Sequence, residues 1–170
     1  MREILFRGKR ADNDEWIEGY YTVQSNHACF ANELKYTHFI FKDICLDFNL
    51  GGLQEFEVIP ETIGQYTGLT DKKGKKIFEG DVVQYLTYDD FDCQSIVKFG
   101  KYKQDGSDGE YNGRDCLGFY IEVNNFTCPD WCENQPEYFD DYKKQQNILE
   151  IVNECEVIGN IYDNPELFEC

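Results

Sequence analysis

The chain has 170 residues, a net charge of −17 and an aromatic content of 16%, enough length for one ordinary core or two small ones. No stretch approaches the roughly eighteen apolar residues of a membrane helix, and Met1–Arg10 carries charges where an export signal needs an apolar core. These features exclude a helical membrane protein and imply a soluble, cytoplasmic protein. Tyr and Phe at this density favour pleated, half-buried surfaces, so the expected class is mainly β (a β-rich α+β chain).

In chain order, Glu3–Gly8 reads as a first strand, residues 11–14 as a turn and Trp16–Val23 as a second strand, together a hairpin. Short strands follow at Cys29-Phe30 and Tyr36–Phe41, and Gly51-Gly52 reads as a flexible turn closing the run from Ile44. Phe56–Ile59 is a strand stopped by Pro60, which has no N–H for a ladder. A boundary at residue 60 therefore separates a small N-terminal β-rich part, 1–60, from a second part, 61–170.

Residues 65–85 have the grammar of a hairpin. Gln65–Leu69 is extended, and Asp71-Lys72-Lys73-Gly74 suits a type I turn, with Asp bonding backbone N–H groups and Gly taking the left-handed exit. Glu79-Gly80-Asp81 makes a second corner before the strand Val82–Tyr85. Ile96–Tyr102 is a strand placing Val97, Phe99 and Lys101 on one face, and Cys116–Val123 can pair back onto it. Residues 104–147 otherwise read as a polar, acidic insertion. Tyr142–Asn153 carries helical spacing at Ile148, Leu149, Ile151 and Val152, although Glu150–Val152 could equally begin a strand. Glu156–Tyr162 is a closing strand, and residues 164–168 form a helical turn with Pro165 at its first position.

Charge is unevenly spread. Residues 1–104 hold 13 Lys and Arg against 17 Asp and Glu, whereas residues 105–170 hold 3 against 16, or −13. So acidic a surface repels phosphate and attracts a basic partner, or keeps the protein soluble. The eight cysteines, at 29, 45, 93, 116, 128, 132, 155 and 170, show no disulfide framework and read as reduced, mostly buried thiols.

Three blocks in order carry a family resemblance: Ile4–Arg10 with Trp16–Tyr20, then Val58–Val83, then Glu156–Leu167. Together they resemble the YopX family of phage and prophage proteins, from residue 1 to about 168. The resemblance implies a C-terminal SH3-like barrel beginning near residue 60 and supplies no catalytic residues. Residues 104–147 depart most from the shorter family pattern.

Four candidate sites remain. Lys72, Lys73, Lys75 and Lys76 flank Gly74 on a hairpin tip and could touch phosphate, with Tyr66 and Tyr85 as stacking platforms, each lysine adding a salt-sensitive contact. The plainer reading is a solvated turn balancing an acidic protein. Asp108, Glu110, Asn112 and Gly113 open like a calcium loop, but its twelfth position is Phe119 and not a bidentate Glu. Cys128 and Cys132 are weak metal candidates: their spacing is long for zinc, and His27 and His38 lie roughly ninety residues away. The fourth is an acidic contact face of Asp105, Asp108, Glu110, Asp115, Asp130, Glu133, Glu137, Asp140 and Asp141. With no catalytic motif and no cofactor motif in the chain, the leading expectation is a non-catalytic phage accessory protein whose acidic third binds a basic protein. Nucleic acid is the disfavoured alternative, and a zinc or redox module the second.

Overall fold

A computed structural model describes residues 3–26, 35–46, 50–87, 92–104, 114–127 and 145–167. The fold is β-rich, as composition implied, and built of two antiparallel sheets. The chain divides after Tyr66 into two compact units.

The first unit is a meander. β1 (Phe6–Lys9) pairs with β2 (Trp16–Asn26), which pairs with β3 (Lys35–Leu46), which pairs with β4 (Leu50–Glu57). On its other side β1 takes β5 (Gly64–Thr70), with Phe6 opposite Gln65. The expected first hairpin is present, with Phe6 opposite Gly19 and Lys9 opposite Trp16. Its small core is Ile17, Ile40 and Val58, with Phe6, Phe56 and Ile63 packed against it. Close packing there explains Gly19, where a Cβ would lie 2.1 Å from the Phe41 carbonyl oxygen.

Gly51 and Gly52 do not turn the chain. They lie within β4, opposite Cys45 and Ile44, so β3 and β4 form a longer hairpin than glycine content suggested. Pro60 does end the extended run, and it opens a 3-10 turn over Pro60–Thr62. The Thr62 hydroxyl donates to the Ile59 carbonyl (2.7 Å) and accepts from the Lys9 N–H (2.8 Å), tying that turn to β1.

In the second unit, β6 (Lys76–Phe78) precedes β7 (Asp81–Leu86), β8 (Asp92–Gln104), β9 (Arg114–Thr127), β10 (Gln145–Asn147) and β11 (Glu156–Asn160). The sheet order is β10-β9-β8-β7-β11. β9 does pair back onto β8, from Asp92 opposite Thr127 to Gln104 opposite Arg114. The strand expected over Cys116–Val123 is thus present and runs longer, from Arg114 to Thr127, and its Phe119, Ile121 and Val123 are core residues. At Gly100, opposite Gly118, burial changes phase along β8: Cys93, Ser95 and Val97 are buried, then Tyr102. Val97, Phe99 and Lys101 share one face, as expected, in an unbroken register with β9, but of the three only Val97 is buried. Phe99 is half-exposed, its ring edge-on to Phe119 at 5.0 Å.

The helix expected over Tyr142–Asn153 is replaced, in its described part, by β10 and a 3-10 turn over Ile148–Glu150. Asn147 is extended and its side chain accepts from the Leu149 N–H at 3.0 Å, a cap that redirects the chain, while β10 spends its backbone on Tyr120–Glu122. Ile148 and Ile151 still reach the core, and Leu149 faces water. Among the described residues β10 and β11 are the two ends of the ladder, so the sheet is open there and the expected SH3-like barrel is not closed. The free side of β11 is met by the 71–75 turn instead of another strand. The short turn at Pro165–Leu167 forms as expected.

Candidate functional site

The lysine hairpin is built as its sequence directs. Asp71 Oδ1 accepts the N–H groups of Lys73 (2.8 Å) and Lys75 (2.9 Å), and the Gly74 N–H returns to the Asp71 carbonyl at 2.9 Å. Gly74 sits at φ 82°, in the left-handed region where a side chain is strained. Gly80 repeats this at the second corner, and Asp81 Oδ2 accepts the Phe78 N–H at 2.7 Å.

Asp71 has a further role that local sequence does not announce. Its Oδ2 accepts the N–H of Val157, 86 residues away, at 3.0 Å, and the Lys72 N–H bonds the Cys155 carbonyl at 3.1 Å. One buried carboxylate thus folds the turn and fastens it to β11. Burial alone would raise the Asp71 carboxyl, but the N–H groups of Val157, Lys75 and Lys73, helped by the Lys75 charge, hold it below its ordinary value.

The lysines themselves are engaged. Glu156 on β11 takes Lys73 Nζ in a short ion pair and Lys72 Nζ at 3.5 Å. The Lys73 hydrogen bond, with the charges of both lysines, holds the Glu156 carboxyl below its ordinary range. Lys75 Nζ reaches the Val157 carbonyl at 3.5 Å. The proposed stacking rings are not available: Tyr66 and Tyr85 are 8% and 5% exposed, packed as core residues with no face open to a base.

Beside the hairpin lies a cleft of about 540 Å³ lined by Lys72, Gln84, Tyr85, Leu86, Asp92, Glu154 and Glu156. Its three carboxylates face one ammonium group. The Gln84 amide clasps both oxygens of Asp92, at 2.8 and 2.7 Å. Beneath, the Ser95 hydroxyl donates to the Tyr85 oxygen at 3.4 Å. Burial pushes the Tyr85 phenol far above its ordinary value, and pushes the thiols of Cys93 and Cys155 up to about 11. All three therefore stay protonated at neutral pH, and Cys93, Cys116 and Cys155 are free thiols. The cleft is suited to a cation more than to a phosphate.

A second cleft, of about 360 Å³, lies in the first unit between Arg10-Ala11-Asp12 and Gln54–Glu57 of β4. The Arg10 guanidinium bonds Asp12 through Nε–Oδ1 (2.9 Å) and Nη2–Oδ2 (2.5 Å), and lies 4.7 Å from the Phe56 ring centre. That hydrogen bond keeps the Asp12 carboxyl below its ordinary value.

Of the acidic contact residues, Asp115 is exposed on β9 opposite Lys103. Asp105, Asp108, Glu110, Asp130, Glu133, Glu137, Asp140 and Asp141 lie outside the described residues, as do Asn112, Gly113, His27, Cys128 and Cys132. Phe119, the misfit in the calcium pattern, is buried. His38 bonds the Tyr21 hydroxyl at 2.6 Å. Among the described residues no group of three or more His, Cys, Asp or Glu could hold a metal ion, and no helix is long and apolar enough to cross a membrane.

The family model described as YopX protein matches residues 5–169. The chain belongs to the YopX family. Its three recognisable blocks fall on the β1–β2 hairpin, on the lysine hairpin with its two corners, and on β11 with the turn after it. Two of these blocks are the pair that Asp71 fastens together. Among solved structures, this YopX-family chain is similar to the crystal structure of protein EF1440 from Enterococcus faecalis, with 21% identity, 99% of this chain and 100% of that chain covered, and a TM-score of 0.41. No curated protein matches it.

Proposed function

We propose that this YopX-family chain is a phage or prophage accessory protein of the bacterial cytoplasm that acts without catalysis, by binding another protein. Its acidic C-terminal third engages a basic partner. The observation that carries this reading is the −13 concentrated on residues 105–170. Such a field raises the encounter rate with a basic surface and repels phosphate. The ion pairs of Lys72 and Lys73 with Glu156 and the burial of Tyr66 and Tyr85 weigh the same way. They engage the cations and withdraw the rings that an oligonucleotide would use.

The test is capture of partners by the tagged chain from bacterial lysate, washed at low and at high salt. A basic protein retained at low salt and released at high salt supports the proposal. Reversal of the acidic side chains of residues 105–141 to lysine should abolish that capture; unchanged capture would overturn it. Binding of any oligonucleotide at low salt would favour the nucleic-acid alternative instead.

A further inference from the structure

β4 is an edge strand, and its hydrogen-bond phase can be worked out. In an antiparallel ladder, alternate residues turn both backbone groups towards the partner and the residues between turn theirs away. The Val58 N–H bonds the His38 carbonyl at 2.9 Å. By register, Phe56, Gln54 and Gly52 therefore face Ile40, Lys42 and Ile44, and Glu57, Glu55, Leu53 and Gly51 face outward. The Glu57 carbonyl confirms this phase, because it accepts the N–H of Ala11 at 2.9 Å from the outer side.

Ala11 occupies that edge only at Glu57. From Glu55 to Gly51 no described residue bonds the outward groups, leaving a row of donors and acceptors spaced for another strand. The second cleft opens beside this row. Its rim carries Asp12, Glu55 and Glu57 against Arg10, whose guanidinium is already bound to Asp12. Leu53, on the same face as Glu55, is 62% exposed.

We propose that the outer edge of β4 is a docking site for an extended basic segment of a partner protein, which adds to the sheet as an antiparallel strand. Backbone bonds to Gly51, Leu53 and Glu55 supply the affinity, as in strand addition generally. Side chains two apart supply the selectivity: a Lys or Arg opposite Glu55 and an apolar residue opposite Leu53. A second copy of this chain fits less well, because it would bring a second set of Glu55, Glu57 and Asp12 to the same rim. The docking edge shares no residue with the acidic C-terminal third, so the proposal does not rest on that reading.

The probe is the peptide acetyl-Thr-Lys-Thr-Val-Thr-Thr-amide, added to the isotope-labelled full chain and followed by amide NMR. The expected result is saturable shifts and slowed hydrogen exchange at Gly51, Leu53 and Glu55. N-methylation of the peptide at its Lys and Val should weaken binding at least about tenfold, since it removes two backbone bonds to the strand edge. The variant with Glu55→Lys and Glu57→Lys, both exposed and therefore tolerant, should weaken it about threefold per charge at low salt. Equal binding of the N-methylated peptide, or shifts confined to residues 105–141, would overturn the proposal. So would slowed exchange at the same three amides on concentrating the protein alone, which would assign the edge to self-association.

Discussion

Replacing Asp71 by Ala should destabilise the second unit more than any other change at the hairpin. Three N–H groups lose a charged acceptor. Those of Lys73 and Lys75 lie in an exposed turn where water can replace the carboxylate, so together they cost about 1 kcal/mol, as for a lost helix cap. The Val157 N–H is buried, and an unsatisfied buried donor costs roughly 1–3 kcal/mol. The sum is about 2–4 kcal/mol, a large share of the 5–15 kcal/mol typical of a whole domain. Urea unfolding followed by far-UV circular dichroism should show the midpoint lowered at unchanged slope. Hydrogen exchange should speed up at the Val157 amide before it does at the core amides of Val83 or Ile121.

The pH dependence has a definite sign. Because the folded carboxyl lies below its ordinary value of 3.8, its stabilisation is complete above that value and fades as pH falls through the folded one. The Asp71→Asn variant should lack this portion of the acid transition. A loss below about 1 kcal/mol in Asp71→Ala, where a lone surface cap would fall, or an unchanged Val157 amide, would refute the tether.

Gly19→Ala should disrupt the first unit, since a Cβ 2.1 Å from the Phe41 oxygen and 2.9 Å from Ile40 Cγ2 forces the β2–β3 ladder apart. A cost of about 3 kcal/mol or more is expected from such overpacking, read as loss of the β2–β3 amide signals by NMR. Cys93 and Cys155 should resist iodoacetamide at pH 8 until denaturant is added, because thiols at about 11 are almost wholly protonated there. Their raised values also mean that stability is full below the ordinary thiol value of 9.0 and is lost as pH rises from there through about 11, visible as a falling urea midpoint.

Local chemistry made much of the fold legible. Asp71, Gly74, Gly80 and Asp81 do what Asp and Gly do at corners anywhere: a short carboxylate reaches nearby N–H groups, and a residue without Cβ takes positive φ. Alternating aromatic and β-branched residues marked β1, β2, β7 and the β8–β9 pairing, because period two is a property of each strand alone. Short-range signals misled at Gly51-Gly52 and at Ile148–Val152. Glycine permits a turn without requiring one, and apolar residues at helical spacing can serve two successive turns of a different kind when a neighbouring strand claims the backbone.

What only the tertiary structure decided lies at long range. Nothing near Asp71 in sequence says that its second oxygen will hold Val157, or that Lys72 and Lys73 will be drawn to Glu156 across 83 residues and more. Nor does sequence reveal that Tyr66 and Tyr85 are core, since a phenol ring suits a buried face and an exposed one alike. The outward phase of Gly51, Leu53 and Glu55 likewise depends on register with β3, and a slip of one residue would turn those groups inward. The sequence by itself determined the β class, the corners, the charge asymmetry and the family. Pairing across the chain determined which charged and aromatic groups remain free to meet a partner, because that depends on what folding places beside each of them.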